Sequence, residues 1–258
     1  MVNAVVLAGA VDERLSDVYQ GPTKALIPVC GKPCVEHVLE ALRATPQVAR
    51  IALAGPAALS EHPVARLADV ELPEESSIVD KLFSAAAAFD DDHKLLMVPC
   101  DIPLLNPQTL SDVIQRCPDD CAFFHPLVEK SAAVSAFPEH KWLFIKLREA
   151  AVVTTNIIVL DPKWLLERPD LARTLEALRQ HPTRMALRWG LGFLLKYKLG
   201  LLDLRYCERL FSRVLQAPCR GVITDHVDLA MDLDRPEDIP MLEHWLASAP
   251  AGGTPGTA

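Results

Sequence analysis

One aspartate, Asp101, follows a short apolar run and stands between two prolines, Pro99 and Pro103. The apolar residues 95–98 indicate a strand buried on both faces, as in parallel sheets. Ligands of open α/β sheets lie beyond the carboxyl ends of the strands, so this carboxylate faces a cleft. A hard cation such as Mg²⁺ prefers one or two carboxylates together with waters and substrate phosphates. The pattern therefore predicts that Asp101 binds a divalent cation.

The structural alternative for Asp101 is the cap of the next helix. Asn106 supplies that cap better, because Asn is a favoured N-cap residue and Pro107 fits the first helical position. Asp101 is thus left without a structural role, which favours metal binding.

The elements that must hold Asp101 in place alternate along the first half of the chain. Apolar runs at 2–8 and 48–54 predict strands before the central one, and apolar residues at helical spacing predict helices at 35–42 and 78–89. This alternation is typical of α/β proteins. The predicted fold class is α/β, a doubly wound and mostly parallel sheet with helices on both faces.

Beyond Pro118 the pattern is less regular and predicts a mixed-strand and helical extension of the sheet. Strand-like stretches occupy 121–128, 131–137, 142–147 and 152–160. Helical patterns follow at 163–179, 183–196 and 203–215. Asn156 interrupts the last strand-like stretch. Such a polar side chain either satisfies a local hydrogen bond or lines a substrate pocket.

Residues 186–202 form a very apolar segment that Lys196 and Lys198 interrupt. It is too short and too charged for a membrane span. The first interpretation is a buried helix. The alternative is a surface that contacts a lipid-linked substrate or a partner.

Composition excludes several classes of protein. The chain has 258 residues, 50% of them hydrophobic, and a mean hydropathy of +0.16, which is enough for a substantial core. The net charge of -8 argues against a nucleic-acid-coating surface. Seven cysteines without CxxC spacing, and a first segment without basic residues, indicate a cytoplasmic protein.

Three segments stand in a fixed order along almost the whole chain. They are Leu7-Ala8-Gly9 with the stretch 24–33 behind it, the stretch 99–105, and the stretch 232–239. In these segments the sequence resembles the MobA-like nucleotidyltransferase (NTP transferase) family, whose members have a GT-A type sheet. The resemblance implies a single enzyme domain at 1–246, with a nucleotide-binding half at about 1–117 and an acceptor half at about 118–246. The small, polar residues 247–258 are expected to form a disordered tail.

The resemblance also implies the roles of individual residues. In the family the first loop wraps a triphosphate, which assigns nucleotide binding to Leu7, Ala8, Gly9 and Arg14. Lys24 and Ser77 are the other expected nucleotide-binding residues. Lys24 would contact phosphate and Asp101 would hold Mg²⁺ or Mn²⁺, which makes both residues catalytic. Asp234 would complete the metal site, and Asn156 would bind the acceptor.

Some of these assignments have structural alternatives. Asp234, with Glu237 three residues later, equally matches a capping box for the last helix. Asp232, on the same strand face, is the other candidate metal ligand. Ser77, with Asp80 three residues later, also resembles a capping box.

The expected reaction is Mg-dependent transfer of an NMP group from an NTP to a phosphorylated or otherwise anionic small-molecule acceptor, with release of pyrophosphate. Such an acceptor is already a nucleophile, so the enzyme mainly aligns it and neutralises charge. The NTP and the acceptor are the expected partners. We expect neither nucleic acid nor a membrane span, and a homo-oligomer stays open.

Two other functions stay open. Ala10 and Asp12 stand where the family carries glycines, whose backbone N–H groups approach phosphates closely, and this favours a non-catalytic nucleotide-binding regulatory protein. A GT-A glycosyltransferase would use the same sheet and a metal carboxylate. It normally shows a D-x-D motif, whereas this chain has Asp101-Ile102-Pro103.

Overall fold

The computed structural model describes residues 1–9, 13–75, 77–179 and 189–248. Ala10 and Asp12, on which the regulatory alternative rests, lie outside the described residues, as do residues 249–258 of the expected tail. The last helix continues to Ser248, so the first two residues of the expected tail are helical.

The chain alternates strands and helices in its first half and is mixed in its second half. The strands are β1 (Val2–Leu7), β2 (Pro28–Val29), β3 (Lys32–Pro33), β4 (Val48–Ala54), β5 (Val70–Leu72), β6 (Lys94–Pro99), β7 (Phe123–Glu129), β8 (Ile145–Lys146), β9 (Ala151–Thr154), β10 (Ile158–Leu160) and β11 (Cys219–Thr224). The α-helices are α1 (Cys34–Arg43), α2 (Ala57–Ser60), α3 (Ile78–Phe89), α4 (Pro107–Arg116), α5 (Lys130–Ala136), α6 (Pro162–Glu167), α7 (Pro169–Arg179), α8 (Leu191–Lys198), α9 (Leu204–Leu215) and α10 (Asp238–Ser248).

Nine strands form one sheet in the order β5-β4-β1-β6-β10-β7-β9-β8, and β11 pairs with β7. β5, β4, β1 and β6 are parallel to one another, whereas β10 runs antiparallel to both β6 and β7. β11 is parallel to β7, and β8 and β9 add antiparallel pairs. The expected mostly parallel sheet with a mixed extension is confirmed.

The two faces of the sheet carry separate cores. Along β1 the side chains of Ala4 and Val6 belong to one apolar cluster and Val5 belongs to another, because successive strand residues point to opposite faces. The first cluster includes residues of α1 and α4, and the second includes residues of α3, α6 and α7. Helices therefore cover both faces, as expected of a doubly wound sheet.

Two predicted elements were wrong. The stretch 131–137 was expected to be strand-like, but all of it except Phe137 belongs to α5, whose alanines are strong helix formers. The helix expected at 163–179 is divided into α6 and α7 at Arg168. The backbone of Arg168 is not helical (φ -131°, ψ 52°), because Pro169 disfavours helical geometry in the preceding residue.

The apolar segment 186–202 also differs from its first interpretation. Its described part contains α8, and none of the eight residues of that helix is buried. Among the described residues, no helix is both long and apolar enough to cross a membrane. The expectation of a buried helix is therefore wrong for α8.

Candidate active site

Two neighbouring central strands deliver the first site residues to one edge of the sheet. Gly9 follows β1, and Asp101 follows β6. The Cys100 amide donates to the Leu7 carbonyl oxygen at 3.1 Å, which continues the strand pairing to the residue before Asp101. The main chain of Asp101 is held as well, because its carbonyl oxygen accepts from the Leu233 amide at 2.9 Å.

Lys24 reaches the same edge from a 3-10 turn, Lys24–Leu26. The preceding residue, Thr23, is buried and fixes this turn. Its hydroxyl donates to the Gly9 carbonyl oxygen at 2.6 Å and accepts from the Ala25 amide at 3.3 Å. The first loop and the lysine are thus tied together by one threonine, a residue that the sequence analysis missed.

The ammonium group of Lys24 bridges two carboxylates. Its Nζ lies 2.7 Å from Asp101 Oδ2 and 2.6 Å from Asp234 Oδ1. Burial works against the charged form of this lysine, but the carboxylates of Asp101 and Asp234 outweigh it and raise the pKa of Lys24 above its ordinary value. Lys24 therefore stays protonated at any physiological pH.

A third carboxylate, Asp232, belongs to the same group of charges. Burial, together with the negative charges of Asp234 and Asp101, raises the pKa of Asp232 to about 6, although the positive charge of Lys24 opposes this shift. Asn156 Nδ2 donates to Asp232 Oδ2 at 2.8 Å. We call Lys24, Asp101, Asp232 and Asp234 the Lys24 cluster. One ammonium faces three carboxyl groups there.

The segment that carries Asp234 is shaped by a residue that the sequence analysis missed. Asp238 Oδ2 accepts from the amides of Asp234 and Arg235 at 2.9 and 2.8 Å. His140 Nδ1 lies 3.5 Å from the other oxygen of this carboxylate. Burial would raise the pKa of Asp238, but these hydrogen bonds keep it below its ordinary value. The capping-box alternative for Asp234 is wrong, because the helix begins four residues later and Asp234 contacts Lys24 instead.

The start of α3 is a second polar site near the first loop. Ser77 Oγ accepts from the Asp80 amide at 2.9 Å, so its capping role is confirmed. Glu176 Oε1 accepts from the Ile78 amide at 2.6 Å. Lys81 Nζ donates to the Ala8 carbonyl oxygen at 3.0 Å, which ties α3 to the first loop. The contacts of Lys81 and Glu176 join distant parts of the chain and were not predicted.

Residues 4–189 match the MobA-like NTP transferase domain. The chain belongs to this family. It is 25% identical over 189 residues to the bifunctional protein GlmU of Halorhodospira halophila, a match that covers 69% of this chain. The chain spans 38% of the length of that curated relative.

Solved structures extend the similarity over nearly the whole chain. A hypothetical transferase from Thermus thermophilus is 28% identical, with a TM-score of 0.82, over 93% of this chain and 100% of that one. A CMP:2-keto-3-deoxy-manno-octonic acid synthetase complexed with CTP is 15% identical, with a TM-score of 0.60, over 95% and 98% of the two chains. The fold is that of nucleotide-diphospho-sugar transferases, and the matched family is one of NTP transferases.

In this MobA-like chain the structure brings together several predicted site residues. Lys24, Asp101 and Asp234 are in direct contact, and Asn156 joins them through Asp232. Leu7 ends β1, and the Ala8 amide donates to the Ala54 carbonyl oxygen at 2.7 Å.

The remaining predicted nucleotide contacts stay predictions. Gly9 is exposed, and no described atom would lie within 4 Å of a Cβ there, so its main chain is open to a ligand. Arg14 is exposed in the 3-10 turn Glu13–Leu15. Ser77 lies at the start of α3.

Proposed function

We propose that this chain transfers a nucleotidyl group from an NTP to a phosphorylated or otherwise anionic small-molecule acceptor, with release of pyrophosphate, in a Mg²⁺-dependent reaction. The observation that carries the proposal is the Lys24 cluster, in which a buried ammonium stands between Asp101 and Asp234. The carboxyl ends of strands β1 and β6 open onto the same edge of the sheet, where ligands of such folds bind. Membership of the MobA-like family supports the reaction class.

The carboxylates of the cluster fit a hard divalent cation. In the described part of the chain, the three carboxyl groups of the cluster are not arranged as a ready three-ligand metal site, so substrate oxygens would complete the coordination. Asp101 Oδ1 is buried and has no hydrogen-bond partner among the described residues. Asp101 and Asp234 are the proposed ligands, and Asp232 is the alternative to Asp234. When bound, Mg²⁺ or Mn²⁺ would neutralise charge on the phosphate oxygens.

Lys24 binds the triphosphate in the proposed reaction. An ammonium has three N–H donors, and Asp101 and Asp234 accept two of them, which leaves one for a phosphate oxygen. Its raised pKa keeps the positive charge in place while negative charge develops on the leaving pyrophosphate. The acceptor anion needs no deprotonation, so alignment rather than a general base is the main requirement.

The second half of the chain supplies the acceptor side. Lys24 and Asp101 belong to the proposed nucleotide-binding half, whereas Asn156, Asp232 and Asp234 belong to the proposed acceptor half. The Asn156–Asp232 hydrogen bond links the connection between β9 and β10 to the cluster, which supports Asn156 as an acceptor-binding residue. All seven cysteines are free, in keeping with a cytoplasmic location.

Calorimetric titration with the four NTPs, with and without Mg²⁺, tests the proposal. CTP is tested first, because the synthetase neighbour was solved with it. We expect one NTP to bind in a Mg²⁺-dependent way to the wild type and to Asp92→Ala, whose carboxylate is 84% exposed. Asp101→Ala should lose that binding, and Asp232→Asn and Asp234→Asn should identify the second ligand by the larger loss.

Turnover is followed by pyrophosphate release from the preferred NTP with candidate acceptors. NTP binding without release of pyrophosphate from the NTP, whichever phosphorylated acceptor is added, would favour the regulatory alternative. Binding that survives in Asp101→Ala, with the Mg²⁺ dependence unchanged, would contradict the metal assignment.

A further inference from the structure

We propose that helices α8 and α9 form a docking surface for an anionic lipid membrane. The surface consists of Leu191, Leu195, Tyr197, Leu199 and Leu201 on and after α8, with a basic rim of Lys196, Lys198, Arg148, Arg205 and Arg209. We call it the α8–α9 surface. It lies outside the Lys24 cluster, so the inference does not depend on the proposed reaction.

The apolar part of this surface is large and uncovered. Leu191 is 79% exposed, and Leu195 and Leu199 are each 60% exposed. A spacing of four residues places these side chains along one side of the helix. Apolar clusters of this kind on a protein surface mark sites of interaction with a partner or a membrane.

An open pocket of about 460 Å³ beside the leucines is lined mainly by arginines. Its two acidic members are engaged with the start of α9, where Glu149 Oε1 accepts from the Leu204 amide and Asp203 Oδ1 accepts from the Tyr206 amide. Within the described ranges, the three arginines of the pocket, Arg148, Arg205 and Arg209, have no carboxylate partner. Planar guanidinium groups of this kind suit the phosphate of a lipid headgroup.

The leucines and the arginines are parts of one continuous surface. Trp189, just before α8, packs against Phe211 of α9 with ring centroids 5.8 Å apart. Near the other end of α8, Lys196 Nζ lies 5.0 Å from the Tyr206 ring centroid. The Arg148 amide donates to the Leu202 carbonyl oxygen at 2.7 Å, which brings the pocket beside the end of α8.

The charge of the surface selects an anionic occupant. The whole chain carries a net charge of -8, yet residues 189–213 contain five basic residues and two acidic ones. A symmetric dimer through this surface would bring the same positive charges against each other, which is unfavourable. An anionic bilayer offers negative headgroups for the rim and hydrocarbon for the leucines, as interfacial helices require.

Co-sedimentation with vesicles tests the proposal. We expect the full chain to bind vesicles of phosphatidylcholine and phosphatidylglycerol in equal parts, and to bind pure phosphatidylcholine about tenfold less. Added salt should weaken the binding. Leu191→Glu/Leu195→Glu and Lys196→Gln/Lys198→Gln should each reduce it about tenfold or more.

Matched controls separate this surface from exposed leucines and charges elsewhere. Leu166→Glu changes a leucine of α6 that is 53% exposed, and Arg66→Gln/Lys163→Gln removes two positive charges outside α8 and α9. Both should bind vesicles like the wild type. All variants should retain wild-type NTP binding and circular dichroism, because none of them alters the Lys24 cluster.

Three results would overturn the proposal. One is the absence of any preference for phosphatidylglycerol at low salt. Another is the absence of vesicle binding together with a dimer in light scattering that dissociates in Leu195→Glu. That result would assign the surface to self-association. A third is the absence of vesicle binding together with binding of soluble glycerol phosphate that is lost in Arg205→Gln/Arg209→Gln. That result would assign the pocket to a free anion.

Discussion

The Lys24 cluster and the start of α3 lie at the same edge of the sheet and differ in how far the chain satisfies its own polar groups. At α3, the Ser77 hydroxyl and the Glu176 carboxylate already accept from the first amides of the helix. In the cluster, one ammonium serves three carboxyl groups, and Asp101 Oδ1 has no partner among the described residues.

This difference indicates where a charged ligand has most to add. Groups that are already paired lose one interaction when they gain another, so a ligand there gains little free energy. Carboxylates in excess of their counter-charge gain directly from a cation and from the phosphates that it brings. The cluster is therefore the expected centre of the chemistry, and the start of α3 mainly shapes the wall beside it.

The strongest test of the comparison is Lys24→Met. Without the ammonium, the partly buried Asp101, Asp232 and Asp234 repel one another, so the free energy of unfolding should fall by about 3 kcal/mol. Turnover should fall about a thousandfold, because the proposed phosphate contact is also lost. Urea denaturation and pyrophosphate release measure the two effects.

Lys32→Met is the matched control for this substitution. Lys32 also pairs with a carboxylate, Glu40, at 2.8 Å, but both side chains are about half exposed (46% and 48%). Its loss should change stability by about 0.5 kcal/mol or less and leave turnover unchanged. Equal stability of the two variants would mean that the charges of the cluster are screened by water.

A smaller effect is expected at Asp228, a buried carboxylate outside the cluster. One of its oxygens accepts from the Asn106 amide at 3.2 Å, and the Thr109 hydroxyl and the His226 ring also favour its charged form. Burial raises the pKa of Asp228 to about 6. This carboxylate therefore responds to burial by holding a proton.

The sign of the resulting pH dependence follows from that shift. The folded protein retains the Asp228 proton up to about pH 6, whereas the unfolded chain releases it at about pH 4, so stability decreases as pH rises between these values. Relative to Asp228→Asn, the wild type should lose about 2 kcal/mol of stability across this window. Urea denaturation at a series of pH values measures the difference, and Asp225→Asn, at a side chain that is 85% exposed, should behave like the wild type. Parallel curves for Asp228→Asn and the wild type would contradict the shift.

The sequence predicted the parts of the molecule that depend on local pattern. Strand β6 and Asp101 were predicted from an apolar run and two prolines, and Asn106 was correctly expected to cap α4, where it accepts from the Gln108 amide. The family resemblance added Lys24 and Asp234, and the structure places both in contact with each other.

The remaining features depend on contacts between distant residues. The Glu176 carboxylate accepts from the Ile78 amide at the start of α3, 98 positions away in the sequence. No periodicity in the sequence indicates such a contact. The exposure of α8 was missed for a related reason, because an apolar run does not reveal whether another element covers it. Asp238 is the exception. An acidic residue four positions after Asp234, at the start of a helix, is a signal that could have been used.

The smallest effects are expected at the start of α3, and they decide whether that site is only structural. Ser77→Ala removes the cap of α3 and should cost about 1 kcal/mol of stability. Glu176→Gln removes the negative charge beside the first amides and should cost about 0.5 kcal/mol. The Ser77 hydroxyl accepts from Asp80 but keeps its own hydrogen, so it can still donate to a nucleotide.

If Ser77 binds the nucleotide, as the family resemblance implies, NTP affinity should fall about fivefold in Ser77→Ala, as for one lost hydrogen bond. Glu176→Gln should leave that affinity unchanged, because its carboxylate contacts only the helix amides. Calorimetry on both variants checks this difference. An affinity that rises in Glu176→Gln would show that the glutamate competes with phosphate for the helix start, and the contrast between the two sites would then disappear.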